Sequence, residues 1–322
     1  MRTFVVVNPA SANGRTGRRW PELAQRLRAK LGDVEHAFTE RPRHGAELAR
    51  AAIEGGARRI VSVGGDGTHN EVVNGFFGAD GAPIDRDTEL AVVPTGTGGD
   101  LRRTLGMPNE ALEAIDLVGD KSRRVDAGKL TYVAHSGAEQ TAYFINIASF
   151  GVSGLVDKLV NNSSKVLGGK ASFLVGVAKA ALRYRNQPVR LRLDDGEPFT
   201  RTLYNGVVAN ARYFGGGMKV APDAEMNDGL FDVVVMGDMG TIELARGLPK
   251  LYRGDHVKMG NPRIEVHRAK VVHAEPAEDG LEVLIDMDGE QPGRLPARFE
   301  LVPGALRVCI GPNSQVPARA DG

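Results

Sequence analysis

The chain has 322 residues, 41 of them basic and 40 acidic, and 42% are apolar. That length exceeds the usual single domain, so two domains are expected, each burying a core of its own. A net charge of +1 gives no general reason to expect a nucleic-acid partner, and the lone cysteine, Cys309, allows no intrachain disulfide framework and points to a reducing, cytoplasmic compartment.

The first 120 or so residues alternate between strand and helix patterns. Phe4 to Val7 is a short apolar run, too brief for a signal peptide, and Trp20, Leu23, Ala24, Leu27 and Leu31 follow at helical spacing. Val34 to Phe38 and Arg59 to Val63 read as strands, Ala46 to Ile53 and about His69 to Phe77 as helices, then Leu90 to Val93 as a strand and a helix from about Asn109. Such alternation predicts an α/β domain, a parallel sheet with helices on both faces, whose ligands sit at the carboxyl ends of the strands. Beyond about Val125 the pattern changes. Tyr143 to Phe150 reads as one strand and about Lys165 to Tyr184 as a helix. Val189 to Leu193, Thr202 to Ala209, Phe231 to Met236, Arg263 to His273, Leu281 to Ile285, Arg298 to Val302 and Leu306 to Ile310 follow as strands. Turn signals at Asp195-Gly196, Asp228-Gly229 and Asp279-Gly280 favour antiparallel pairing in a mostly β second domain. Pro312 to Gly322 reads as a disordered tail. No stretch approaches the ~20 apolar residues that span a bilayer; the nearest, Phe173 to Ala178, is bracketed by Lys170 and Lys179 and suits a core helix or, with Leu167, a lipid-lining one.

Three loops at strand ends have the composition of phosphate sites: Asn8 to Gly14, Gly64-Gly65-Asp66-Gly67-Thr68, and Pro94-Thr95-Gly96-Thr97-Gly98-Gly99-Asp100. Glycine lets backbone N–H groups face an anion, and a following helix N-terminus adds partial positive charge. Asp66 among those glycines needs a cation beside a phosphate, which a water-bound Mg²⁺ would supply. A Walker loop is excluded because Gly169-Lys170 is followed by Ala171, and a dinucleotide fingerprint because Leu101 takes the place of its third glycine.

With these motifs the sequence resembles the diacylglycerol kinase catalytic family, which includes sphingosine and ceramide kinases and bacterial lipid kinases. The resemblance rests on Asn8-Pro9 through Gly14, Val63 through Gly75, Pro94 through Asp100, Asp228-Gly229-Leu230-Phe231-Asp232 and Asp288-Gly289-Glu290, in family order over nearly the whole chain. It implies a nucleotide-binding α/β domain over 1–125 to which about 304–316 returns, and a β-sandwich lipid-substrate domain over 126–303. It implies ATP contacts at Asn8, Gly14, Thr39, Gly64, Gly65, Asp66, Gly67, Thr68, His69, Asn70, Glu71, Gly96 and Thr97. Asp66, Asp100 and Asp126 match a water-mediated Mg²⁺ network, and Glu225, Asp228 and Leu230 a structural Mg²⁺ site. Asp288 matches the general base, with Glu290 orienting it or the metal; on local sequence alone Asp288-Gly289 reads as a hairpin turn. One departure is Gly99, where many members carry asparagine, which bears on nucleotide affinity.

The implied reaction is transfer of the γ-phosphoryl group of ATP to a lipid hydroxyl such as that of diacylglycerol, a sphingoid base or ceramide, by an enzyme peripheral to the membrane that touches its surface transiently. A homodimer is left open. His69 is expected to be a solvent-facing helix residue rather than a catalytic acid, and Arg15, Arg18 and Arg19 lie on a helix face that could approach phosphates. NAD kinases share Gly-Gly-Asp-Gly and give one alternative. A protein that binds nucleotide or lipid without turnover gives another, supported only by Gly99.

Overall fold

The computed structural model describes residues 1–96, 98–161 and 183–319. Thr97, Leu167, Phe173 to Ala178 and nearly all of the helix expected over Lys165 to Tyr184 lie outside them. The chain divides into two compact units: Met1–Ala127 with Glu225–Gly229 and the residues from Val302 on, and Gly128–Ala224 with Leu230–Leu301.

In the first unit β1 (Thr3–Val7), β2 (Glu35–Phe38), β3 (Arg59–Gly64) and β4 (Glu89–Pro94) form a parallel sheet in the order β2-β1-β3-β4. The end of β15 (Gly293–Cys309) extends it, Arg307 and Val308 pairing in parallel with Glu89 and Leu90. Runs such as Ile60-Val61-Ser62-Val63 are buried on both sides because helices cover both faces. On one face Val5, Val7, Val61, Val63, Ala91 and Val93 meet α1 (Arg15–Leu31), through Trp20, Leu23 and Leu27, and α5 (Ala111–Asp116), through Ile115. On the other lie α2 (His44–Glu54) and α3 (Asp66–Asn74). The short α4 (Asp100–Leu105), unmarked in the sequence reading, starts directly at Asp100.

Strand β5 (Ser122–Ala134) contributes residues to both units. The second unit is built from two antiparallel sheets. One contains β5, β6 (Glu139–Phe144), β8 (Gln187–Leu193), β9 (Phe199–Leu203), β13 (Val271–Pro276) and the start of β15. The other has the order β12-β11-β10-β7-β14, with β7 (Ile147–Gly151), β10 (Asn205–Ala209), β11 (Phe231–Met236), β12 (Ile264–Ala269) and β14 (Ile285–Met287). Their shared core is rich in phenylalanine, with Phe144 stacked on Phe231 at 5.7 Å and Phe150 tilted against Phe299 at 5.9 Å. Helix α6 (Val152–Asn161) follows β7. Helix α7 (Thr241–Arg253) covers the outer face of the second sheet, where Leu244 and Leu251 pack on Val207, Val234 and Met236.

Several expected strands divide, each for a local reason. Thr202 to Ala209 breaks at Tyr204, whose N–H donates to the Met236 carbonyl while its own carbonyl receives Val152 N–H, so that β9 joins one sheet and β10 the other. Arg263 to His273 breaks at Lys270, where the Asp194 carboxylate accepts the N–H groups of Lys270 and Val271. Tyr143 to Phe150 breaks at Ile145-Asn146, for a reason that belongs to the site below. Conversely, Arg298 to Val302 and Leu306 to Ile310 are one strand, β15. The tail is placed as far as residue 319: Pro317 accepts a hydrogen bond from Asn227, Gln315 N–H donates to Thr104 and Arg319 pairs with Glu225. The expectation of disorder there is corrected for 312–319.

Candidate active site

The three glycine-rich loops follow β1, β3 and β4 and meet at the carboxyl edge of the first unit's sheet. Asn8 Nδ2 donates to Thr68 Oγ1 at 2.9 Å, tying the first loop to the second. The second touches the third where a Cβ on Gly96 would come within 2.7 Å of the Gly65 Cα, so no side chain fits between them. Asp66 Oδ2 accepts the Gly99 N–H at 2.6 Å, and a Cβ on Gly98 would lie 2.4 Å from that same oxygen. Gly99 takes φ 73°, the left-handed region, immediately before α4. It presents its N–H to Asp66, and a Cβ there would fall 2.5 Å from Arg102 Nε, which an asparagine at this position would have to displace. Ala12, Asn13 and Gly14 are also left-handed, at φ 53°, 57° and 78°, curling the first loop into the start of α1. Beside the third loop, Arg15, Thr16, Arg19, Thr95 and Gly96 line a cavity of about 210 Å³. Arg19 is already paired with Glu22 and Glu110, while Arg15 is exposed.

Other residues expected at the nucleotide are placed differently. The Glu71 carboxylate accepts the N–H groups of Arg43 and Gly45 at 2.8 and 3.0 Å, fixing the start of α2. His69 is only 3% exposed, and its Nδ1 lies 2.8 Å from Ser62 Oγ. The solvent-facing reading is therefore corrected, because α3 turns this residue onto β3. Burial holds its pKa down to about 4, so the ring is neutral at physiological pH. Thr68 and Asn70 are buried, and Thr39 N–H donates to the Val7 carbonyl at the end of β2.

The acidic residues expected near a metal divide in the same way. Asp100 is buried and bonded to Arg103 at 2.9 Å. Asp126, 3% exposed, accepts Gly229 N–H at 2.9 Å with one oxygen and Gly304 N–H at 2.7 Å with the other. Burial pushes its carboxyl up and those two bonds draw it back down. It thus fastens both returning segments of the first unit to β5. Among the described residues no three His, Cys, Asp or Glu side chains converge as direct ligands of a metal. The water-mediated network expected at Asp66, Asp100 and Asp126 does not require such convergence, and the structural site that the resemblance implies at Glu225, Asp228 and Leu230 would draw on backbone carbonyls at the first and last. Loops closed to a Cβ at Gly64, Gly96 and Gly98, with carboxylates beside them, suit a triphosphate accompanied by a hard oxygen-loving cation.

In the second unit Asp288 is buried and left-handed, at φ 50°. Its carboxylate accepts three backbone N–H groups, from Ile145 at 3.1 Å, Asn146 at 3.2 Å and Ile147 at 2.9 Å. These donors turn toward Asp288 instead of a neighbouring strand, which is why the expected Tyr143 to Phe150 strand breaks into β6 and β7. The turn reading of Asp288-Gly289 also holds locally, for Met287 and Glu290 exchange backbone hydrogen bonds. Glu290 is exposed. Behind the turn lies a polar cluster that sequence reasoning missed. Asp286 accepts Gly289 N–H at 2.9 Å and Ser149 Oγ–H at 2.8 Å, and Ser149 and Ser153 on α6 continue to Asn205. Asp157, one helical turn beyond Ser153, hydrogen-bonds Asp286, and burial pushes both carboxyls up, Asp157 further raised by the neighbouring Asp286 charge, so the two share a proton more readily than free carboxylates would. A signal was available in Ser153 and Asp157, four apart on one helix face.

Comparison with known proteins covers both units. Residues 2–130 match the model of the diacylglycerol kinase catalytic domain, and residues 146–310 that of the YegS C-terminal NAD kinase beta sandwich-like domain. A diacylglycerol kinase of Bacillus subtilis is 30% identical over 307 residues, 92% of each chain. One from Mycobacterium tuberculosis is 28% identical over 309 residues, covering 95% of this chain and 94% of the relative. Two solved chains from Bacillus anthracis superimpose with TM-scores of 0.76 and 0.68 at 24% and 22% identity. They cover 97% of this chain in both cases and 95% and 97% of their own, a likeness that speaks to fold alone.

Proposed function

Since the chain belongs to the diacylglycerol kinase family, we propose that it transfers the γ-phosphoryl group of ATP to the hydroxyl of a lipid, with Asp288 receiving the hydroxyl proton. The observation that carries this reading is the convergence of the three glycine-rich loops, closed to side chains at Gly96 and Gly98 and tied together through Asp66. Backbone N–H groups there bind the phosphates, the α3 N-terminus adds partial positive charge, and Arg15 supplies a full cation at the third loop. Asp66 and Asp100, with Asp126, would hold Mg²⁺ through water, and the ion would supply positive charge to the phosphates of the nucleotide. Phosphoryl transfer asks a protein chiefly for position and electrostatics, so a carboxylate oriented by three main-chain donors is adequate to accept the proton as the alcohol attacks. The acceptor class is a lipid alcohol, as in diacylglycerol, a sphingoid base or ceramide, and the family name favours diacylglycerol.

The test is transfer of label from γ-labelled ATP with Mg²⁺ to a panel of these lipids in mixed micelles, with NAD as control. Wild type is expected to label one lipid class, and Asp288→Asn to lose about 10²–10⁴-fold in kcat with little change in ATP affinity. Label in NAD, or full turnover by the variant, would defeat the assignment.

A further inference from the structure

We propose that Arg102 is a further nucleotide-binding residue: its guanidinium, seated in the room that Gly99 leaves for want of a side chain, binds the phosphate chain of the nucleotide. The inference rests on the reading of the three loops as a nucleotide site and adds to it a residue to which the motifs give no role.

Two arginines follow one another on α4, and the structure commits one of them. Arg103 Nη1 donates to the Gly98 and Gly99 carbonyls and to Asp100 Oδ1, each at 2.9 Å, so it is occupied in holding the third loop together. Arg102 Nε is buried and meets no acceptor among the described residues, and no carboxylate there pairs with its guanidinium. A buried donor without an acceptor is destabilising, the more so when it is charged, and its place is explained by what it meets when a ligand is bound.

The neighbouring glycine sets that place. Gly99, at φ 73°, puts its N–H on Asp66 Oδ2 at 2.6 Å. A Cβ on it would come within 2.5 Å of Arg102 Nε, 3.1 Å of its Cδ and 3.2 Å of its Cγ. Three successive atoms of Arg102 thus lie where a side chain at position 99 would begin, and any such side chain would push the guanidinium out.

Charge names the ligand. Burial and the adjoining Arg103 work against the positive charge of Arg102, whereas Asp66 and Asp100 work for it. The guanidinium therefore lies in the field of the carboxylates of the second and third loops without being bonded to either. A phosphate chain entering these loops meets the same two carboxylates, and Arg102 lessens that repulsion while offering donors in a fork that matches phosphate oxygens.

The experiment measures ATP binding to the full-length protein by titration calorimetry with Mg²⁺ present, and urea unfolding without nucleotide. R102A and R102M are each expected to weaken ATP binding about 10–100-fold, the range for a lost hydrogen bond to a charged group. G99N should weaken it to a similar degree by displacing the same guanidinium. In the R102A background G99N should bring no further loss, since asparagine tolerates the left-handed region and the group it collides with is gone. R102M keeps the apolar stem and deletes a donor that has no partner, so without nucleotide it should be no less stable than wild type. Adenosine, which lacks phosphate, should bind wild type and R102M alike. Unaltered ATP affinity in R102A and R102M overturns the proposal, as does a loss of stability in R102M without nucleotide, which would make the residue structural. A full further loss from G99N in the R102A background, or a difference with adenosine, overturns it too. Because binding is what is read, weakened ATP binding in these variants with no transfer to any lipid would leave Arg102 in place and remove the acceptor reading. Unaltered binding with intact transfer would remove Arg102 alone, and a wild type that binds no ATP would remove both.

Discussion

Replacing Asp126 by alanine separates two roles that the same residue could hold. Its two oxygens accept the N–H groups of Gly229 and Gly304, fastening 225–229 and the residues from Val302 on to β5. Deleting the carboxylate leaves two buried donors without an acceptor, at about 1–3 kcal/mol each, or roughly 2–6 kcal/mol in all. Relief of the carboxylate's own burial offsets part of this, so about 2–4 kcal/mol is expected. The amide introduced by Asp126→Asn keeps one acceptor oxygen and turns an N–H₂ group toward the other donor, so it should cost about half as much. The assay is urea unfolding followed by the fluorescence of Trp20, the only tryptophan of the chain, which lies in the core of the first unit and reports that unit. Measured with EDTA present, a shift of less than about 0.5 kcal/mol for Asp126→Ala would refute the argument. A loss of stability seen only when Mg²⁺ is added would instead assign Asp126 to the metal.

Two further outcomes test the first unit. In Gly98→Ala the new Cβ would fall 2.4 Å from Asp66 Oδ2 and must displace that carboxylate or the loop. We expect kcat/KM for ATP to fall about 10–100-fold, as a displacement near 1 Å at a reacting site commonly does, with Trp20-monitored stability nearly unchanged. His69 is held neutral down to about pH 4, whereas an unfolded histidine binds its proton near 6.5. Between those values the unfolded chain carries a proton the folded chain lacks, so stability is retained above the window and falls as pH drops through it, by up to about 3 kcal/mol. His69→Gln, which can keep the bond to Ser62, should flatten that part of a stability profile measured from pH 7 to 4; an unchanged slope would show that His69 is not the cause.

The first unit was the more legible from sequence because its signals are local. Ile60 to Val63 running into Gly64-Gly65-Asp66-Gly67 states strand, loop and helix start within ten residues, and the structure follows it. The second unit hid its corners. The apolar runs Thr202 to Ala209 and Arg263 to His273 continue past Tyr204 and Lys270, where backbone bonds with the distant partners Met236 and Asp194 mark the change of sheet. Helix α7 is not among the expected elements: Leu244, Leu248 and Leu251 have helical spacing, but Gly247 and Pro249 within it are poor helix formers. At the site, Asp288 was identifiable through its motif, but the three donors that orient it lie more than 140 positions earlier in the chain. Asp157 and Asp286 carry no motif at all. Their relation is made wholly by packing α6 behind β7 and β14.

The return of β15 to β4 also sets an order of events during synthesis. The first unit begins at Met1, yet the strand that pairs with Glu89 and Leu90 arrives only after Val302. At ordinary elongation rates, roughly 10–30 s separate the emergence of Ala127 from that of Val302. Through this interval the nascent sheet ends at β4, an open parallel edge of apolar residues with nothing yet made to cover it. The second unit, whose two stretches end at Leu301, can close first, so the part of the protein translated earliest is the part completed last. A ribosome-bound chain stalled before Val302 should therefore be the form that engages chaperones most strongly, and emergence of the β15 residues from Val302 on should end that engagement.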